Sequence, residues 1–264
     1  GWTPLHAAAE EGHVEVVLLI IRANVAAAVA KYMQRMVDKG RMSEEDMVAG
    51  LSRIKPTAAI ADLAPSNIVV EAVAEILEVK HDVLAKLADC CGDETILATN
   101  TSSLSVDDIA APLPNPERVV GMHFFNPVHK MKLVEIVRTS DTTSETVQTI
   151  EEIGRRMGKE TVVIRESPGF VTSRINATIG NEAFFMLQEG IASARDIDKA
   201  LKLGLNHPMG PFELVDLVGL DTRLSVLKFL HRTLGEKYRP CPLLEEYVQA
   251  GRLGKKVGKG VYEY

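Results

Sequence analysis

Short apolar runs alternate with stretches of helical period as far as Glu166, and beyond that point only the helical period continues. Ile68-Val69-Val70, Ile96-Leu97-Ala98-Thr99, Val119-Val120-Gly121-Met122, Leu133-Val134-Glu135-Ile136-Val137 and Thr161-Val162-Val163-Ile164 read as buried strands. Between them, Leu84, Leu87 and Cys91 mark one helix, stopped near Gly92. Val147, Ile150, Ile153 and Met157 mark another, capped by Ser144 and ending near Gly158. Upstream, Ser43 and Asp46 form a capping-box variant before Met47, Leu51 and Ile54. This alternation predicts a mostly parallel sheet covered by helices.

Ser167-Pro168-Gly169 then breaks the pattern. Residues 174–190, a segment opened by Ser193 and Asp196, and residues 211–235 and 242–251 all read as helices. The expectation is an α/β domain over 1–166 and an all-helical domain over 167–264.

Composition narrows the function classes. The 264 residues are 46% hydrophobic and 25% charged, as in ordinary globular chains. A net charge of −6 argues against a nucleic-acid partner, which needs a concentrated basic surface. No apolar run reaches the length of a membrane span, and residues 1–20 lack the marks of a signal peptide. Cys90, Cys91 and Cys241 include no CxxC pairing, so no zinc or other metal site is expected. They read as reduced thiols of a cytoplasmic protein.

Polar groups stand at the ends of the strand-like runs. Asn100-Thr101-Ser102-Ser103-Leu104 follows one, and His123-Phe124-Phe125-Asn126-Pro127 ends another. Glu135 lies inside a third. A hydroxyl, an imidazole, an amide and a carboxylate gathered beside a sheet can take a proton from an alcohol while a hydride leaves its carbon.

From about residue 36 onward the chain resembles the 3-hydroxyacyl-CoA dehydrogenase family, and 3-hydroxybutyryl-CoA dehydrogenases within it. Besides the two stretches above, the resemblance rests on Met131-Lys132-Leu133-Val134-Glu135, Pro168-Gly169-Phe170-Val171 and His207-Pro208-Met209-Gly210-Pro211. Gly219-Leu220-Asp221-Thr222 and Gly254-Lys255-Lys256-Val257-Gly258 extend it through the end of the chain. It implies a Rossmann-type domain, a helical dimerisation domain, and oxidation of short L-3-hydroxyacyl-CoA thioesters by NAD. His123 would be the general base, Glu135 its orienting carboxylate, and Ser102 the hydroxyl bonding the substrate oxygen. Ala72, Glu75, Lys80, Asn100, Ser102, Asn126 and Lys256 would line the cofactor. The implied partners are an acyl-CoA and a second copy of the chain, with no nucleic acid or membrane.

Two departures accompany the resemblance. Ser173 stands where the family usually has an asparagine that holds the substrate carbonyl. Ser173 can still donate a hydrogen bond, and Asn176 lies one helical turn on. The family also opens with a strand and GxGxxG, whose amides receive the pyrophosphate. Residues 1–30 contain only Gly1 and Gly12, and Val16-Val17-Leu18-Leu19-Ile20 runs into Ile21-Arg22 without the acid expected after a second strand. The Rossmann-type sheet is therefore expected to be incomplete and NADH binding weak. The competing reading is a non-catalytic descendant that binds acyl-CoA or serves as a dimeric scaffold.

The first residues carry a different signature. Thr3-Pro4-Leu5-His6-Ala7 and Gly12-His13-Val14-Glu15-Val16-Val17 match an ankyrin repeat. The match covers only about 20 residues, and an ankyrin unit cannot bury its apolar face without stacked neighbours. A helix packed on the sheet domain is the simpler expectation. His129 reads as a solvated loop residue.

Overall fold

The computed structural model describes residues 24–264, with side chains from residue 27. The ankyrin-like stretch and the Val16–Ile20 run lie outside the described residues. The chain divides into two compact units, Gly1–Glu166 and Ser167–Tyr264.

In the first unit, α1 (Asn24–Asp38) and α2 (Glu44–Ser52) precede β1 (Ile68–Glu71). Then come α3 (Leu77–Cys90), β2 (Ile96–Thr99), α4 (Val106–Ala110), β3 (Val119–Phe124), β4 (Leu133–Arg138), α5 (Ser144–Arg156) and β5 (Glu160–Arg165). The five strands among the described residues form one sheet in sequence order. Only the β3–β4 pair is antiparallel; the other three pairs are parallel. The α/β reading with a mostly parallel sheet therefore holds.

Local chemistry explains the boundaries. Ser43 is extended, and its hydroxyl accepts from Asp46 N at 3.0 Å. This starts α2 where the capping box predicts. At α5 the cap is Thr143, not Ser144: Thr143 is extended and its Oγ1 accepts from Thr146 N at 3.1 Å. Both residues carry a hydroxyl, so spacing alone could not choose between them.

The sheet is enclosed on both faces near its centre. Every residue of β2 and β3 is buried. One core joins Ile96, Ala98, Met122, Phe124, Ile136 and Ile150. The other joins Val69, Leu84, Leu87, Leu97, Ile109 and Val119. Gly121 permits the close approach of β4, since a Cβ there would lie 2.7 Å from Val137 Cβ.

The second unit is helical: α6 (Thr172–Gln188), α7 (Ala194–Gly204), α8 (Pro211–Val218), α9 (Leu220–Leu234) and α10 (Pro242–Gln249). Phe184, Phe212, Leu220, Leu227, Leu230 and Leu244 form its core. The helix expected over 211–235 is two helices. Gly219 separates them at φ 107°, a conformation that side chains resist. Two buried carboxylates fasten the last residues. Asp216 accepts from Val261 N, Tyr262 N and the Tyr264 hydroxyl at 2.8–2.9 Å. Asp198 accepts from the Tyr262 hydroxyl at 2.7 Å and from Phe212 N at 2.8 Å.

Candidate active site

Strand register brings the imidazole and the carboxylate together. His123 on β3 is the direct partner of Glu135 on β4. Opposed residues on an antiparallel pair point to the same face. Nδ1 of His123 lies 2.8 Å from Glu135 Oε2, and the two residues are 4% and 1% exposed. Nδ1–H donates and the carboxylate accepts, which fixes the tautomer and leaves Nε2 as the basic nitrogen. The Phe125 ring packs 4.6 Å from the imidazole.

Ser102 enters from the neighbouring strand. β2 runs parallel to β3, with Thr99 opposite Gly121. The segment after Thr99 and the end of β3 therefore emerge on one edge of the sheet. Asn100 ties them: its backbone N–H donates to Glu71 O at 2.8 Å, and its Oδ1 accepts from Phe124 N at 3.0 Å. Ser102 follows and is exposed.

The residues expected at the cofactor fall into two groups. Ala72 and Asn126 are exposed beyond the ends of β1 and β3. This is the crevice where ligands bind in such sheets, outside the carboxyl ends of parallel strands. A small side chain at Ala72, an amide at Asn126 and a hydroxyl at Ser102 suit a flat, polar nicotinamide. Glu75 and Lys80 also bond within the protein. The Lys80 ammonium is enclosed beside Glu71 and Glu75. Glu71 escaped the sequence reading, although an acid closing Ile68-Val69-Val70 was a usable signal.

In the second unit, Ser173 lies in the first turn of α6 and Asn176 a turn later, both half-buried. Lys256 donates to both oxygens of Asp221 at 2.6 Å. Burial pushes the Asp221 carboxyl up, but the Lys256 bond and charge outweigh it and hold it below its ordinary range. His129 is not a solvated loop residue. It is half-buried, with its ring 4.8 Å from that of Tyr32 on α1.

Among the described residues no group of three or more side chains has the makings of a metal site, and no helix is long and apolar enough to cross a membrane. All three cysteines are free thiols.

A buried histidine–carboxylate pair within a mostly parallel sheet suits the chemistry of a nucleotide-linked dehydrogenase. Residues 6–167 match the family model described as 3-hydroxyacyl-CoA dehydrogenase, NAD binding domain, and residues 169–264 match the corresponding C-terminal domain. The chain belongs to the 3-hydroxyacyl-CoA dehydrogenase family and is an oxidoreductase that uses NAD. A probable 3-hydroxybutyryl-CoA dehydrogenase of Bacillus subtilis is 45% identical over 89% of this chain and 82% of its own length. A 3-hydroxybutyryl-CoA dehydrogenase of Clostridioides difficile is 42% identical over 89% of this chain and 84% of its own. The crystal structure of (S)-3-hydroxybutyryl-CoA dehydrogenase from Ralstonia eutropha superposes with a TM-score of 0.95 at 39% identity, covering 99% of this chain and 94% of that one.

Proposed function

We propose that this chain oxidises short L-3-hydroxyacyl-CoA thioesters, 3-hydroxybutyryl-CoA among them, to the 3-oxoacyl-CoA. The observation that carries this reading is the buried His123–Glu135 bond of 2.8 Å. The names of the 42–45% identical relatives support the four-carbon acyl group.

The Ser102 hydroxyl donates to the substrate oxygen and holds the C3 alcohol toward His123. Nε2 of His123 takes the hydroxyl proton as the hydride departs from C3. The imidazolium that forms is stabilised by the carboxylate already bonded to Nδ1. NAD, when bound, supplies the hydride acceptor. Ala72, Glu75, Lys80, Asn100, Ser102, Asn126 and Lys256 are the residues that would hold it. Ser173 binds the substrate carbonyl in place of the family's asparagine. The helical unit pairs with that of a second copy, and the protein works in the cytoplasm.

The test is NAD reduction by L-3-hydroxybutyryl-CoA. Turnover is expected in the wild-type chain, and His123→Ala should lower kcat by about 10²–10⁴-fold. Absence of turnover at saturating NAD would overturn the proposal.

A further inference from the structure

The turn between β3 and β4 carries Asn126, and it is pinned at both ends. At its start, Phe124 N donates to Asn100 Oδ1 at 3.0 Å. At its end, Glu160 N donates to Lys132 O at 2.8 Å, where β5 begins beside β4. Within the turn, Lys130 N and Met131 N both donate to Pro127 O, at 2.9 and 3.1 Å.

Two further carbonyls of the turn are met by a side chain from outside it. Lys159, the residue before β5, is 8% exposed. Its Nζ donates to Val128 O at 2.6 Å and to Met131 O at 3.1 Å. Val128 lies two residues beyond Asn126 and is itself buried. An ammonium carries three donors, so one side chain can bridge two carbonyls. Charge-assisted bonds of this kind are strong where water is scarce. The backbone at Lys159 is fixed as well. Gly158 stands at φ 66°, Gly158 N donates to Arg155 O at 2.9 Å and Lys159 N to Gly154 O at 3.0 Å, which closes α5 in a Schellman turn. Lys159 takes no part in the proton transfer and is not among the residues assigned to NAD.

We propose that Lys159 is a positioning residue: by holding Val128 and Met131 from behind, it fixes Asn126 for its contact with the nicotinamide end of NAD. The inference rests on the assignment of Asn126 to NAD under the proposed function. Phe125, Asn126 and Pro127 span the short distance between two anchored points, Phe124 and Val128. The Asn126 amide is then ordered before the cofactor arrives, and binding spends nothing on ordering it.

The test uses the full chain with Lys159→Met, Asn126→Ala and the double variant, and measures affinities for NADH and for ADP-ribose by calorimetry. ADP-ribose lacks the nicotinamide ring, so it reports the remaining contacts of the cofactor alone. Lys159→Met keeps an unbranched apolar stem and removes the charge and its donors. We expect it to weaken NADH binding by about three- to tenfold, the scale of one hydrogen bond, and to leave ADP-ribose binding unchanged. In the Asn126→Ala background the same substitution should have almost no further effect, because its route to the nicotinamide is gone. Lys159→Gln, shorter and uncharged, should couple to Asn126 in the same way; it is the second variant should Lys159→Met fold poorly. Equal losses for NADH and ADP-ribose, additive losses in the cycle, or an unchanged NADH affinity would overturn the proposal. A wild-type chain that neither binds NADH nor turns over would instead overturn the functional reading beneath it, and this inference with it.

Discussion

His123 and Glu135 face each other across an antiparallel ladder, as register partners on β3 and β4 with Nδ1 2.8 Å from Oε2. The backbone pairing sets their separation, and burial of both side chains strengthens the bond by excluding water.

Glu135→Gln keeps the shape of this contact and removes its charge. The imidazolium formed during oxidation then loses a charge-assisted partner worth about 1.5–3 kcal/mol. The expected outcome is a fall in kcat of about 10–100-fold, with KM for NAD little changed. Initial rates of NADH formation check it.

Asp216 should matter for stability rather than turnover. It is 1% exposed and holds Val261 N, Tyr262 N and the Tyr264 hydroxyl. Asp216→Ala strands these donors, at a cost of about 3 kcal/mol. Urea unfolding followed by far-UV circular dichroism should show a lower midpoint.

Gly219→Ala places a Cβ 2.9 Å from Asp221 Oδ1 and 3.2 Å from Lys256 Nζ, at a φ of 107°. The backbone strain costs about 1–2 kcal/mol. The contact also disturbs the Lys256–Asp221 pair. Thermal denaturation should show a lowered midpoint.

Glu166 supplies a pH dependence with a definite sign. Burial, then the charges of Asp107 and Asp108, raise its carboxyl above the ordinary carboxylate range. A raised folded-state value means that the folded chain holds this proton more tightly than the unfolded chain. Its contribution is therefore most favourable below the ordinary carboxylate range and is lost as pH rises through the raised value. Glu166→Gln should stabilise the chain at neutral pH by a few tenths of a kcal/mol after solvent screening. The gain should vanish in acid. Urea midpoints at neutral and acidic pH measure the difference.

Much of this architecture is legible in the residues. Ile96–Thr99 and Leu133–Val137 announce strands because short β-branched and aliphatic runs bounded by turn residues have few other uses. Ser43 and Ser193 announce helix starts, since each has an aspartate three residues on to complete the cap. The helix break at Gly219 was harder to read, because the apolar period continues across it and only φ interrupts the helix. The internal contacts of Glu75 and Lys80 were illegible for another reason. Sequence spacing places both near the crevice, but only tertiary contacts reveal that Glu75 is held by the Ser102 loop and Lys80 by Glu71. Thr143 and Ser144 show the remaining limit: adjacent residues of equal chemistry are separated only by backbone angles.

The pairing of β3 with β4 has a consequence for how such a chain can be altered. His123 and Glu135 sit on interior strands, whereas Ser102, Asn126 and Ser173 sit on segments that begin or leave an element. The turns can therefore change in length and sequence while the strand register goes on holding His123 opposite Glu135.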